Sequence, residues 1–191
     1  ASNVVVQFQF LAPTEGAQGR IVMTDALLNL QWNNVSLYPA GYYTRRIPIQ
    51  ASVTLPQGWK AATALRGKST GATVAYEQTD YETLVDSPIF AGQHSKSIDL
   101  GHDVTLNLFA DDPEELNASP EQIAAHKKLV DEALALFGAR HFDHYDFLLS
   151  ISNTLGGIGL EHHRESENGV DPGYFTKWSE GPGDRNILPD E

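Results

Sequence analysis

Over the first hundred residues apolar and polar side chains alternate in short runs bounded by Gly, Pro, Asn and Asp. A period of two is the mark of antiparallel strands with one buried and one wet face. It predicts strands at Val4 to Ala12, Arg20 to Thr24, Leu27 to Val35, Arg46 to Leu55, Ala72 to Gln78, Ser95 to Leu100 and Val104 to Ala110. The alternation is plainest where Val6, Phe8 and Phe10 interleave with Gln7 and Gln9. Pro48 lacks an N–H for a ladder, so it demotes the fourth run to an edge or a bulge. Strands of this kind, with turn signals between them, suggest an antiparallel β-sandwich or open β-saddle.

The pattern changes after an acidic connector, Asp111-Asp112-Pro113-Glu114-Glu115. Ser119-Pro120-Glu121-Gln122 reads as a helix start, with Ser119 as N-cap and Gln122 as its capping-box partner. Ile123, Leu129, Val130, Ala133, Leu134, Leu136 and Phe137 form an apolar stripe at helical spacing, and Gly138 is the stop, so a helix is predicted over 119–137. His144 to Ser152 reads as a mostly buried strand, and Gly156 to His163 as a glycine-rich approach to another at 159–163. The tail from Glu165 onward is rich in Gly, Pro and charge, with little to bury beyond Tyr174, Phe175 and Trp178. The predicted organisation is a β domain over 1–112 and an α/β segment over 113–191. One helix and two strands make a poor core alone, so that segment must pack on the first domain or open a larger one.

Composition narrows the function classes. At 191 residues, 41% hydrophobic and 20% charged, the chain is a folded globular protein. No stretch approaches a spanning helix, and no basic-then-apolar leader is present. Starting on Ala1 fits a removed leader or an artificial start point. The formal charge is −12, and all of the imbalance lies late: residues 1–100 carry 7 basic and 7 acidic side chains, residues 101–191 carry 6 and 18. This argues against nucleic acid or an anionic membrane as partner. The acidic half reads as a solvated surface rather than a cation site. With no Cys, disulfides and thiolate metal sites are impossible.

Few residues stand in a context that suggests chemistry. His141, His144, His162 and His163 cluster late, but none has the i, i+4 helical spacing of zinc hydrolases, and adjacent histidines on a strand face opposite ways. Arg66-Gly67-Lys68-Ser69-Thr70 lacks the first glycine of a phosphate loop, and no G-x-S-x-G elbow exists. Asn34-Val35-Ser36 and Asn117-Ala118-Ser119 are glycosylation sequons by pattern only. Leu155-Gly156-Gly157-Ile158-Gly159-Leu160-Glu161 strips side chains from the backbone just ahead of a carboxylate. An extended ligand could pair there as an added strand, its α-ammonium meeting Glu161. The alternative is a strained turn or bulge, with Glu161 paired to Arg164 or another cation.

Leu27 to Trp32 through Leu37-Tyr38-Pro39-Ala40-Gly41, then Leu55-Pro56-Gln57-Gly58-Trp59 and Leu84-Val85-Asp86-Ser87-Pro88, resemble the N-terminal domain of the glycyl aminopeptidase family of zinc metallopeptidases. Gly159-Leu160-Glu161-His162-His163 with Ser166-Glu167-Asn168 is similar to that family's glycine-Leu-Glu-His signature. The resemblance implies a mainly β chain, with the second segment opening a thermolysin-like catalytic domain. It implies that Gly157, Gly159, Leu160, Glu161 and His162 bind substrate, Glu161 holding the free amino end of a peptide that begins with Gly or Ala. A following His-Glu-x-x-His helix would hold zinc in the complete parent, with Glu191 at the general-base position and Asp190 where the first His ligand belongs. The chain alone, without the remaining ligands, is expected to bind no zinc and to be inactive. Its partners would be a peptide with a free N-terminus and the remainder of the catalytic domain, with a periplasmic or secreted location expected over a cytoplasmic one. A non-catalytic β-sandwich module that binds peptide, carbohydrate or a partner surface is the alternative that Asp190 favours.

Overall fold

The computed structural model describes residues 3–180 and 184–190. An N-terminal layer holds β1 (Leu27–Leu30), α1 (Trp32–Val35), β2 (Pro48–Ile49), β3 (Ser52–Thr54), β4 (Lys60–Ala62), β5 (Gly67–Thr70), β6 (Thr73–Tyr76), β7 (Thr79–Asp80), α2 (Tyr81–Val85) and β8 (Ile89–Gly92). β8 is buried along its length because β1 and β4 pair with it on either side, both antiparallel. The antiparallel sheet β3-β6-β5 and the ribbon β2-β7 complete the layer. Pro48 sits in that two-stranded ribbon, as its missing N–H requires. Trp32, Tyr76, Tyr81, Leu84 and Ile89 form the core, and the Trp32 indole N–H donates to the Ser87 carbonyl at 2.9 Å.

The second layer is a five-stranded sheet containing β9 (Ser95–Gly101), β10 (Val104–Ala110), β11 (Tyr145–Ile151), β12 (Gly159–Glu161) and β13 (Glu165–Val170). Its spatial order is β12-β13-β11-β10-β9, so it draws strands from either side of residue 112. β10, β11 and β13 run parallel, and both outer strands are antiparallel to their neighbours. The parallel step from β10 to β11 is bridged by α3 (Pro120–Phe137). α3 begins with the capping box of Ser119 and Gln122 and ends at Gly138 in the left-handed region, φ 63°. Val130, Ile123 and Leu134 pack on one face of the sheet with Leu106, Leu108, Leu149, Tyr174 and Leu188 of the one-turn α4 (Ile187–Asp190). Phe109 and Leu148, on the opposite face, meet Leu27 and Phe90 of the N-terminal layer. β10 and β11 are thus covered on both sides, which explains their near-continuous apolar runs.

Three expectations are corrected. Val4 to Ala12 forms no strand: among the described residues no backbone lies alongside to complete a ladder, and its side chains stand exposed. Arg20 to Thr24 reduces to one bridge, Met23 with Leu28. The run from Leu27 breaks after Leu30, because burying Trp32 turns the chain into α1. The tail also buries far more than its composition implied. Tyr174 and Phe175 are core residues around the buried His126, whose Nδ1–H donates to the Gln122 carbonyl at 2.7 Å while its Nε2 lies 2.9 Å from the Tyr174 hydroxyl. Burial lowers the pKa of that imidazole, so it is neutral at pH 7.

Candidate functional site

The glycine-rich segment becomes the outer edge of the five-stranded sheet. Among the described residues β12 pairs on one side only, with β13, in the register Gly159 to Asn168, Leu160 to Glu167 and Glu161 to Ser166. The His162 N–H donates to the Glu165 carbonyl at 2.9 Å and the Gly169 N–H to the Ile158 carbonyl at 2.8 Å. By the two-residue alternation of an antiparallel ladder, Ile158, Leu160 and His162 turn their main-chain groups inward. Gly159 and Glu161 therefore aim N–H and C=O outward, at an unpaired edge.

The same alternation separates the side chains. Glu161 shares the face of Ser166 and Asn168, on which α3 and α4 pack, and it is exposed, with no hydrogen bond or ion pair to a described residue. Arg164 is engaged elsewhere: its Nε lies 3.0 Å from Asp143. Leu160 and His162 face the N-terminal layer and border a cleft of about 1030 Å³ that also involves Asp86, Arg66, Tyr81 and Glu167. Gly157 has open space where a Cβ would stand, and it lines a smaller cavity of about 450 Å³ together with Asp171 and Asp190. The glycine segment and the last described helix thus border one space. Gly156 is small for another reason, since a Cβ would come 2.6 Å from the Arg20 side chain.

His162 is not a free ligand group. Its Nδ1 lies 3.1 Å from Asp86 Oδ1 and its Nε2 3.1 Å from Glu167 Oε2, with only 10% of the side chain exposed. Burial disfavours the charged ring, but the hydrogen bonds and charges of both carboxylates outweigh it and raise the pKa to about 9. Burial also works against the Asp86 carboxylate, yet the His162 ring and the His163 backbone N–H hold its pKa below the ordinary value. Fully buried Glu167 further accepts from the Asn29 and Gln31 amides, and Arg20 donates to Asn29 at 3.0 Å. Beside it Glu165 accepts from the Ala64 N–H; burial first, then the nearby Asp146, Glu167 and Asp86, push its pKa well above the ordinary carboxylate range.

None of Asn29, Gln31, Asp86, Glu165 or Glu167 was singled out by spacing. The available signal lay in the family-like segments around Asp86 and Glu167, and it carried no role for either side chain. His144 joins the layers differently, donating from Nε2 to the Ala64 carbonyl at 2.9 Å. Glu191 lies outside the described residues, and Asp190 is exposed on α4. Among the described residues no group of three or more His, Asp or Glu side chains is arranged to hold a metal ion, so these residues do not by themselves fit zinc. No helix among them is long and apolar enough to cross a membrane.

No curated protein matches the chain in sequence. Among solved structures it is similar to an aminopeptidase N family protein from Idiomarina loihiensis, at 20% identity and TM-score 0.56, over 78% of this chain and 25% of that one. Native leukotriene A4 hydrolase from Saccharomyces cerevisiae is a weaker match, at 14% identity and TM-score 0.45, over 69% of this chain and 20% of that one. The chain therefore spans about a quarter or less of the length of these proteins. The first likeness shows a common fold. Residues 1–93 match the model of the Peptidase M61 N-terminal domain.

Proposed function

We propose that this chain is the substrate-presenting N-terminal part of a zinc metallo-aminopeptidase of the glycyl aminopeptidase kind. A peptide with a free N-terminus adds to the outer edge of β12 as a further strand, and Glu161 receives its α-ammonium. The observation that carries this reading is the open edge at Gly159 and Glu161, with an exposed, unpaired carboxylate on the side of the sheet where α4 lies. The match of residues 1–93 to a peptidase N-terminal domain supports it. In the parent protein Glu191 takes the general-base position, zinc is held with ligands supplied from outside the described residues, and the peptide begins with Gly or Ala.

The test is an NMR titration of the chain with trialanine and with N-acetyl-trialanine at pH 7. The free peptide should shift the Gly159 and Glu161 amides, and the acetylated one should bind about 10-fold or more weaker, the worth of one charge-assisted hydrogen bond. Glu161→Gln should erase that difference. Equal binding of both peptides by the unaltered chain refutes the anchoring role.

A further inference from the structure

We propose that His162, clasped between Asp86 and Glu167, is the positioning residue that fixes the binding edge, tying β12 to the N-terminal layer through an imidazolium. The inference deepens the reading above in one respect, since the edge it fixes is the one proposed to receive a peptide.

The case rests on geometry. Glu161 and His162 are adjacent at the end of the edge strand, and the pleat sends them to opposite faces. Glu161 is left open while His162 is driven into the joint between the two layers, where each ring nitrogen meets a carboxylate at 3.1 Å. A carboxylate only accepts, so both contacts are hydrogen bonds only when both nitrogens carry hydrogen. Asp86 follows α2 in the N-terminal layer, and Glu167 belongs to β13. The ring thus joins the end of α2 to the β12–β13 ladder. Asp86 also accepts from the His163 N–H at 3.1 Å, so it holds two successive residues just past β12.

The ionisable groups around the ring are Asp86 from the N-terminal layer, Glu167 and Glu165 from β13, with burial raising the pKa of Glu165, His163 beside it, and Arg20, which reaches Glu167 through Asn29. Two carboxylates against one ring favour its charged form. The folded pKa of about 9 lies above the ordinary 6.5. The clasp's contribution to stability is therefore fully present below about pH 6.5 and is lost as the pH rises through about 9. A neutral ring can donate to one carboxylate only and turns a lone pair toward the other.

The experiment uses the chain without peptide, because a peptide's own α-amino group loses its proton near pH 8. The ring of His162 is followed by NMR from pH 6 to 10.5, together with the hydrogen-exchange protection of the inward-bonded His162 and Gly169 amides. A ring midpoint near 9 is expected, with both protection factors falling about 10- to 100-fold on the same midpoint. Asp86→Asn should move that midpoint down by about one unit, a response that simple loss of packing would not produce. His162→Gln, if it folds, should show the low protection already at pH 7. A midpoint near 6.5, or protection that ignores the ring's titration, overturns the proposal even if no variant folds. A chain that shows the coupled titration yet binds no peptide keeps the clasp and sinks the peptide-docking reading; peptide binding without the coupled titration does the reverse.

Discussion

Two six-to-eight-residue stretches exchange the roles their side chains suggest. Val4 to Leu11 is mostly apolar, alternates with Gln7 and Gln9 across Val6 to Phe10, and holds no charge, yet Val5 and Leu11 are 85% and 86% exposed and no ladder among the described residues includes them. Glu165–Val170 reads as polar tail, yet it is β13, and Glu165, Ser166, Glu167 and Asn168 are all 0% exposed. The contrast separates two requirements of a strand. Side-chain alternation states which face prefers to be dry; the main chain needs neighbours on which to spend its donors and acceptors. β13 has β11 on one side and β12 on the other. Most of its buried polar atoms find partners: Glu167 meets Asn29, Gln31 and His162, and the Asn168 amide donates to the Leu148 carbonyl at 3.2 Å and to Ser166 Oγ at 2.9 Å, while Glu165 Oε1 and Asn168 Oδ1 have none among the described residues.

The contrast breaks most easily at Glu167. Glu167→Ala leaves a buried charged ring facing one carboxylate instead of two and strips partners from Asn29 and Gln31. Removing one member of a buried ion pair costs about 3–5 kcal/mol, to be read from urea unfolding at pH 7. A loss below about 1 kcal/mol would mean that β13 is held by its ladder alone. Gly169→Ala probes the ladder without touching charge. Its Cβ would stand 3.1 Å from the Ile158 nitrogen and 3.3 Å from the Gly157 Cα, so β12 must shift. Overpacking of this kind costs about 1–3 kcal/mol, and the Gly159 and Glu161 amides should move in the NMR spectrum while those of α3 stay. Unchanged β12 resonances would show that the glycine segment sits more loosely than its spacing to β13 implies.

What was legible in the chain follows the same division. α3 could be read in full, because Ser119, Gln122 and Gly138 are local signals and the structure uses each of them. β10 and β11 were legible because long apolar runs bury whichever way they face, and β9 because Ile98 and Leu100 alternate with polar residues. The exposed setting of Glu161 and the openness at Gly157 also follow from a local pattern, side chains removed ahead of a carboxylate. The clasp was not legible. Asp86 lies 76 residues from His162, and Asn29 lies 138 from Glu167, so no period or spacing joins them. For the same reason His162 looked like a second binding group beside Glu161; only the three-dimensional register reveals that it points into the joint. Gly156 shows the converse error, a residue whose smallness suits close packing on Arg20 rather than approach of a ligand.

The smallest effect is expected at the other member of the pair. Val5→Lys puts a charge into a stretch that has none, on a side chain already in water. Because no apolar area leaves the core, the change in stability should stay within about 0.5 kcal/mol. The unfolded chain gains as little as the folded one loses. The association state should respond instead: an exposed, uncharged, β-prone run without Pro across Val4 to Phe10 is a template for edge pairing, and a lysine within it is a standard deterrent. Light scattering at rising concentration should therefore show less self-association for Val5→Lys than for the unaltered chain, at equal unfolding midpoints. A destabilisation above about 2 kcal/mol would mean that Val4 to Leu11 docks on the folded body after all, and the two stretches would then differ in composition but not in burial.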